Sequence, residues 1–306
     1  MENNRKCMLV KKLILLFMSI MPVLVSGCGK HLNEVTDERK LDSIELLDDG
    51  RGVAVFESTK HDIILDLPEN AEGAPLVVML HGYGESAEVF RQKTSFEKEG
   101  NSRGYAVVYV TGASNKYDST SATGWNSGIG TSSNNDVDFL CALVNDLCKL
   151  YPLDKNRIFA VGYSNGAFMA HRLAVSANDI FAAVVSVAGM MSENTWAGRP
   201  EECEIGVLQI TGEKDDVIPK KFDGSAKFSK APAIEEVLDY YVETEDLLLQ
   251  DQYTIGKKTI LEKYASSASK KQVWNIFIPD GRHSWPDEHI VGFDTNQIIL
   301  EFLETQ

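Results

Sequence analysis

The sequence predicts an α/β fold: a mostly parallel central sheet with helices on both faces. Three observations carry that prediction. Short, wholly apolar runs recur along the chain, stretches with apolar residues at helical spacing separate them, and no Pro/Gly/Ser-rich linker interrupts the alternation from Leu76 to the C-terminus. A strand covered on both faces has no polar side to display, so a continuous apolar run of about five residues marks an interior parallel strand. Parallel neighbours need a crossover, which the intervening helices supply.

Taken in order, Val53–Phe56 and Asp62–Leu67 alternate enough to form a strand pair at an edge. Leu76–Leu80, just after Pro75, and Tyr105–Val110 read as buried strands. Thr111–Asn134 is rich in Gly, Ser, Thr and Asn with little periodicity, and long loops of this kind often shape a binding site. Asp136–Leu150 puts Val137, Leu140, Val144 and Leu147 on one helical stripe. Asn135 or Asp136 can cap its start, and Tyr151-Pro152 closes it. Arg157–Val161 is a strand and Gly166–Ser176 a helix; Phe181–Val187, Gly206–Ile210 and Val273–Ile278 are further strands; Ala233–Leu248 and Thr295–Leu303 are helical.

The N-terminus reads as an address. Arg5, Lys6, Lys11 and Lys12 precede an apolar run from Leu13 to Val25, followed by Val25-Ser26-Gly27-Cys28. A basic start, a short apolar stretch and small residues before a cut form a secretory signal, and the run is shorter than the ~20 residues a membrane-spanning helix needs. The Val-Ser-Gly-Cys ending resembles a bacterial lipoprotein signal, in which the cysteine is lipidated. The expected organisation is a signal over 1–27, a polar flexible tether over 28–50 and one catalytic domain over 51–306, lipid-anchored through Cys28 at the cell surface or outside it. The whole chain carries −15 and the segment 1–27 carries +3, leaving −18 on the remainder. Such an acidic body repels nucleic acid and anionic membrane surfaces, so the lipid anchor is the one membrane contact expected. Cys141 and Cys148, seven apart on one helix, lie about 10 Å apart and cannot be bridged; a bridge to Cys203 stays open, and no Cys–His spacing matches a zinc site.

Gly162-Tyr163-Ser164-Asn165-Gly166 falls where a predicted strand meets a predicted helix. That is the context a G-x-S-x-G nucleophile elbow requires, and glycines on either side remove Cβ atoms that would clash in so sharp a turn. A serine hydroxyl needs a base beside it, and with this elbow the partners follow in the order acid, then histidine. His171 sits inside the helix and is read as packing. His283, in a loop after Val273–Ile278, is preferred over His289 because strand carboxyl ends are where such sheets place their sites. Thr211–Pro219 offers Glu213, Asp215 and Asp216; Asp215 is the preferred acid and Asp216 its rival. His81-Gly82-Tyr83-Gly84, directly after Leu76–Leu80, suits an oxyanion turn, with the main-chain N–H groups of Tyr83 and Asn165 as donors and His81 structural. Trp125 and Trp285 are candidates to stack on sugar or aromatic groups, with core packing the alternative for each.

With these residues in view, the chain resembles the polyhydroxybutyrate depolymerase and feruloyl-esterase-like group of the α/β-hydrolases, and the carbohydrate esterases close to it. The resemblance runs through His81 to Gly84, Asn135-Asp136-Val137-Asp138-Phe139-Leu140, Gly162 to Ala167, Gly212 to Pro219 and His283-Ser284-Trp285-Pro286. It implies an esterase acting on polymer-linked carboxylic esters without a cofactor, and its Gly-x-x-Asp-x-x-x-Pro spacing supports Asp215. Some relatives carry a cysteine where Tyr83 stands, and a disulfide with no counterpart here. The expected function is thus hydrolysis of feruloyl or acetyl esters of plant cell-wall polysaccharides. Rivals are a polyhydroxyalkanoate depolymerase, a serine peptidase of the same fold and a non-catalytic binding module. No segment resembles the propeller of prolyl oligopeptidases.

Overall fold

The computed structural model describes residues 39–114, 121–221 and 230–306. The expected signal, Cys28 and the first part of the expected tether lie outside the described residues. In chain order the strands are β1 (Ser43–Leu46), β2 (Arg51–Phe56), β3 (Thr59–Asp66), β4 (Leu76–Leu80), β5 (Ala106–Val110), β6 (Ile158–Tyr163), β7 (Ala183–Val187), β8 (Gly206–Gly212), β9 (Leu248–Ile255), β10 (Thr259–Ala265) and β11 (Val273–Ile278). The helices are α1 (Ala87–Thr94), α2 (Phe96–Ser102), α3 (Asp136–Leu150), α4 (Asn165–Ser176), α5 (Glu193–Ala197), α6 (Ile234–Thr244), α7 (Glu288–Val291) and α8 (Thr295–Leu303).

All the described strands join one sheet in the order β1-β2-β3-β5-β4-β6-β7-β8-β11-β10-β9. From β5 to β11 every neighbouring pair is parallel, and antiparallel strands finish both sides. Every residue of β4, β5 and β6 is buried, yet alternate residues feed two separate cores. Leu76, Val78 and Leu80 meet Leu140, Phe168 and Tyr241 of α3, α4 and α6; Val77 and Met79 meet Phe90, Phe96 and Phe302 of α1, α2 and α8. The fold is the α/β architecture expected, and the period-2 alternation is hidden in the sequence because both faces are covered.

Two regions depart from expectation. Residues 43–46, expected in the tether, form β1 and pair antiparallel with β2; a four-residue edge strand is too short to show a period. The helix expected over Ala233–Leu248 ends at Thr244, and Leu248 opens the β9–β10 hairpin instead. Asp246 takes a left-handed φ of 48°, and the Leu247 N–H turns back to the Val242 carbonyl, the bond of a glycine-type helix stop. No glycine stands there to announce it. None of Cys141, Cys148 and Cys203 is in a disulfide. Burial pushes the Cys203 thiol up to about 11, so it stays protonated and donates to the Ala174 carbonyl at 3.2 Å.

Candidate active site

Four loops leave the carboxyl ends of β4, β6, β8 and β11 and converge, as open α/β sheets favour. Ser164 sits between β6 and α4 at φ 52° and ψ −115°, a conformation that costs on the order of 1–3 kcal/mol for a non-glycine residue and persists only where the surroundings impose it. Here they do. The Ser164 N–H donates to the Val187 carbonyl at 2.9 Å, and its own carbonyl accepts from Ala167 at 2.9 Å. A Cβ on Gly162 would lie 2.0 Å from the Gly166 carbonyl oxygen, and one on Gly166 would lie 2.0 Å from that of Leu80. The two glycines therefore let strand, turn and helix close upon one another.

His283 Nε2 stands 2.9 Å from Ser164 Oγ, and His283 Nδ1 stands 2.8 Å from Asp215 Oδ2. A carboxylate can only accept, so Nδ1–H donates to it and leaves Nε2 free to accept the serine proton. The other Asp215 oxygen accepts the main-chain N–H groups of Val217 (2.9 Å) and Ile218 (2.7 Å), which aims the carboxylate. Asp215 is buried, whereas Asp216 and His289 are exposed and touch neither partner. The acid and histidine loops are laced together by Glu213 N–H to Ile278 O (3.0 Å) and Lys214 N–H to Gly281 O (2.8 Å). Tyr163 hydroxyl donates to the His283 carbonyl at 3.3 Å, and burial pushes that phenol up to about 12, so it remains a donor.

The turn after β4 lies against the elbow: a Cβ on Gly82 would come 3.5 Å from Ser164 Cβ. Asn165 opens α4, where the first N–H groups have no partner within the helix. His81 is fully buried beneath the turn. Its Nε2 accepts the Gly112 N–H at 2.9 Å and its Nδ1–H donates to the Gly82 carbonyl at 2.6 Å. Burial holds His81 down at about 4, so it stays neutral and can keep accepting. His171 is likewise a core residue, held down at about 4 by burial and bonded to Gln209 and Tyr241.

The two tryptophans separate. Trp285 is half-buried and packs edge-on to Phe90 and at a steep angle to Tyr163. Trp125 is fully buried, its indole N–H donated to the His81 carbonyl at 3.0 Å, and offers no face to a substrate. Of the two roles open to Trp125 by sequence, stacking on a substrate or packing in the core, its burial leaves the second. Asp136, at the start of α3, holds the loop that follows Trp125. Its Oδ2 accepts the Asn126 N–H at 2.6 Å, Oδ1 has no partner among the described residues, and burial pushes the carboxyl up to about 6. A cavity of about 410 Å³ lies behind the His283 loop, lined by Ile210, Ile278 and Ile290 among others, but neither Ser164 nor His283 lines it. Among the described residues no cluster of His, Cys, Asp and Glu is placed to hold a metal, and no helix is long and apolar enough to cross a membrane.

A family model described as "Esterase PHB depolymerase" matches residues 60–198. NocK of Nocardia uniformis subsp. tsuyamanensis, which carries an esterase name, is 36% identical over 171 residues, 54% of this chain and 46% of NocK. An acetylxylan esterase of Coprinopsis cinerea is 26% identical over 51% of this chain and 44% of its own length. The poly(3-hydroxyalkanoate) depolymerase C of Paucimonas lemoignei is 28% identical over 40% and 29% respectively. This chain spans less than half the length of each of these curated relatives. Among solved structures, the acetyl xylan esterase from Aspergillus awamori superposes with a TM-score of 0.60 at 13% identity, over 86% of this chain and all of that one, a likeness of fold. The resemblance read from the motifs therefore holds: residues 60–198 are similar to the esterase PHB depolymerase family, and the chain has the fold of the α/β-hydrolase esterase on which it superposes.

Proposed function

We propose that this protein is a serine esterase that hydrolyses carboxylic esters, with acetyl or feruloyl esters of plant cell-wall polysaccharides as its substrates. The single observation that carries the reading is the unbroken chain from Asp215 through His283 to Ser164, at 2.8 and 2.9 Å. In this reading His283 Nε2 takes the Ser164 proton as Oγ attacks the ester carbonyl. The Tyr83 and Asn165 main-chain N–H groups hold the oxyanion, and Asp215 stabilises the imidazolium. His283 returns the proton to the departing alcohol, and water then releases the acid by the same steps. Trp285 is the aromatic proposed for substrate contact. The acetylxylan esterases among the relatives favour sugar-linked esters. The family description and the Paucimonas lemoignei relative favour a second reading, a polyhydroxyalkanoate depolymerase. The Val-Ser-Gly-Cys run supports secretion and a lipid anchor at Cys28, with soluble fragments reaching the cell surface.

Ser164→Ala should remove hydrolysis of p-nitrophenyl acetate by on the order of 10⁶-fold; a variant that kept its turnover would refute the assignment. Assays on acetylated xylan, methyl ferulate and short hydroxybutyrate oligomers decide between the two substrate classes. Activity confined to the hydroxybutyrate oligomers would overturn the polysaccharide reading.

A further inference from the structure

The two proposed oxyanion donors belong to different parts of the chain. Tyr83 lies in the turn between β4 and α1, and Asn165 heads α4. Parallel pairing holds β4 against β6 only as far as Leu80 opposite Gly162. Beyond that point the two segments stay in contact at Gly82 and Gly166, but no ladder hydrogen bond sets the distance between their N–H groups.

A third segment bridges them. The Asn165 side chain is buried, and its Oδ1 accepts the Trp125 main-chain N–H at 2.7 Å. Its Nδ2 donates to Ser127 Oγ at 2.8 Å and Thr131 Oγ1 at 3.0 Å, and Thr131 in turn donates to the Trp125 carbonyl at 2.7 Å. Because a main-chain N–H can only donate, the carboxamide has one workable orientation, and its capacity is filled by this one loop. The same loop grips the other donor's turn. Trp125 Nε1–H donates to the His81 carbonyl at 3.0 Å, the Gly84 N–H donates to the Thr123 carbonyl at 2.8 Å, and Thr123 Oγ1 donates to the Glu85 carbonyl. The loop is wedged tightly: a Cβ on Gly124 would come 3.1 Å from both Asn165 Oδ1 and the Tyr83 ring.

We propose that the Asn165 carboxamide and Trp125 form a clip that sets the spacing of the two oxyanion donors, making both of them positioning residues. The inference rests on the esterase reading above. The clip acts on the geometry in which an oxyanion is held, not on the ground-state ester, so its loss lowers kcat and leaves KM in place. Misplacement by about 1 Å can cost about 10²-fold.

The test compares wild type, Asn165→Ala, Trp125→Phe and the double variant on p-nitrophenyl acetate. The active-site concentration is titrated to completion with diethyl p-nitrophenyl phosphate. The expected result is a kcat per titrated site lowered about 10²-fold in each single variant, with KM unchanged and affinity for a boronic acid that mimics the tetrahedral state falling in step. The double variant should lose little more than either single one, because both cut the same bridge. Trp125→Phe keeps an aromatic ring and the main-chain N–H while removing the indole donor, so it carries the test if Asn165→Ala does not fold. Wild-type kcat per site with wild-type boronate affinity would overturn the clip, as would a loss confined to the fraction of active enzyme. An inactive wild type would instead strike the esterase reading itself.

Discussion

Asp215 and Asp216 are adjacent in the chain and differ only in what the tertiary structure supplies. Asp215 is buried, takes two main-chain N–H groups on one oxygen and faces His283 with the other. Asp216 is exposed. In Asp215→Asn the amide oxygen is drawn to the Val217 and Ile218 N–H groups, which turns the amide NH₂ toward His283 and forces the proton onto Nε2. That tautomer cannot accept from Ser164, and kcat should fall about 10⁴-fold. Asp216→Asn should leave the steady-state rate at the wild-type level, and equal losses in the two variants would break the assignment. The order and spacing of the motifs brought both acids into view and favoured Asp215; the loop from β8 gives the physical reason by burying that one and aiming it at His283. At Trp125 the sequence left stacking and core packing both open, and burial, decided by where the loop folds, gives the second.

At the scale of elements, the elbow is the most legible feature of the chain, because its demands are local. A strand, a five-residue turn with two glycines and a helix are all contiguous, and the contacts that forbid a Cβ at Gly162 come from within that unit, while those at Gly166 come from Leu80 and His81 of the neighbouring strand end. Gly162→Ala should therefore destabilise by about 3 kcal/mol or more, through overpacking in a turn that cannot relax. Gly73→Ala is a fair control: its φ is +69° but a Cβ there meets nothing within 4 Å, so only the left-handed backbone penalty of about 1–2 kcal/mol applies. Urea unfolding of the two variants measures the contrast, and equal losses would show that crowding is not what the elbow glycines relieve. The β9–β10 hairpin was the least legible element. Seven of the eight residues of β9 are exposed, so no burial pattern is written into it, and the helix before it stops on an aspartate.

Over the whole molecule, buried ionisable groups set an opposed dependence on pH. His81 and His171 are held down at about 4 by burial, from 6.5. The unfolded chain takes those protons first, so their stabilisation is complete above pH 6.5 and is lost as the pH falls toward 4. Each is worth on the order of 3 kcal/mol across that window. Asp136 runs the other way: raised from 3.8 to about 6, it favours the fold below pH 3.8 and loses that contribution, also on the order of 3 kcal/mol, as the pH rises through 6. Two histidines outweigh one aspartate, and His61, also lowered by burial, adds to their side. Stability should rise between pH 4.5 and 7.5, and Asp136→Asn should make the rise steeper. Urea midpoints across this range measure both, and a midpoint that fell with pH would show that these groups do not govern it.

The sequence by itself determined the features written within one contiguous stretch: the apolar strands, the long helix α3, the nucleophile elbow and the short list of acids and histidines downstream of it. These follow from local propensity and side-chain period, which a linear chain displays. The tertiary structure alone decided what depends on segments far apart in sequence. It laced the loops of Asp215 and His283 together, drew Trp125 inward against the turn after β4, and bound the Asn165 carboxamide to the loop that carries Trp125, Ser127 and Thr131. Those outcomes rest on hydrogen bonds and burial between distant residues, and no single stretch of the chain contains both partners.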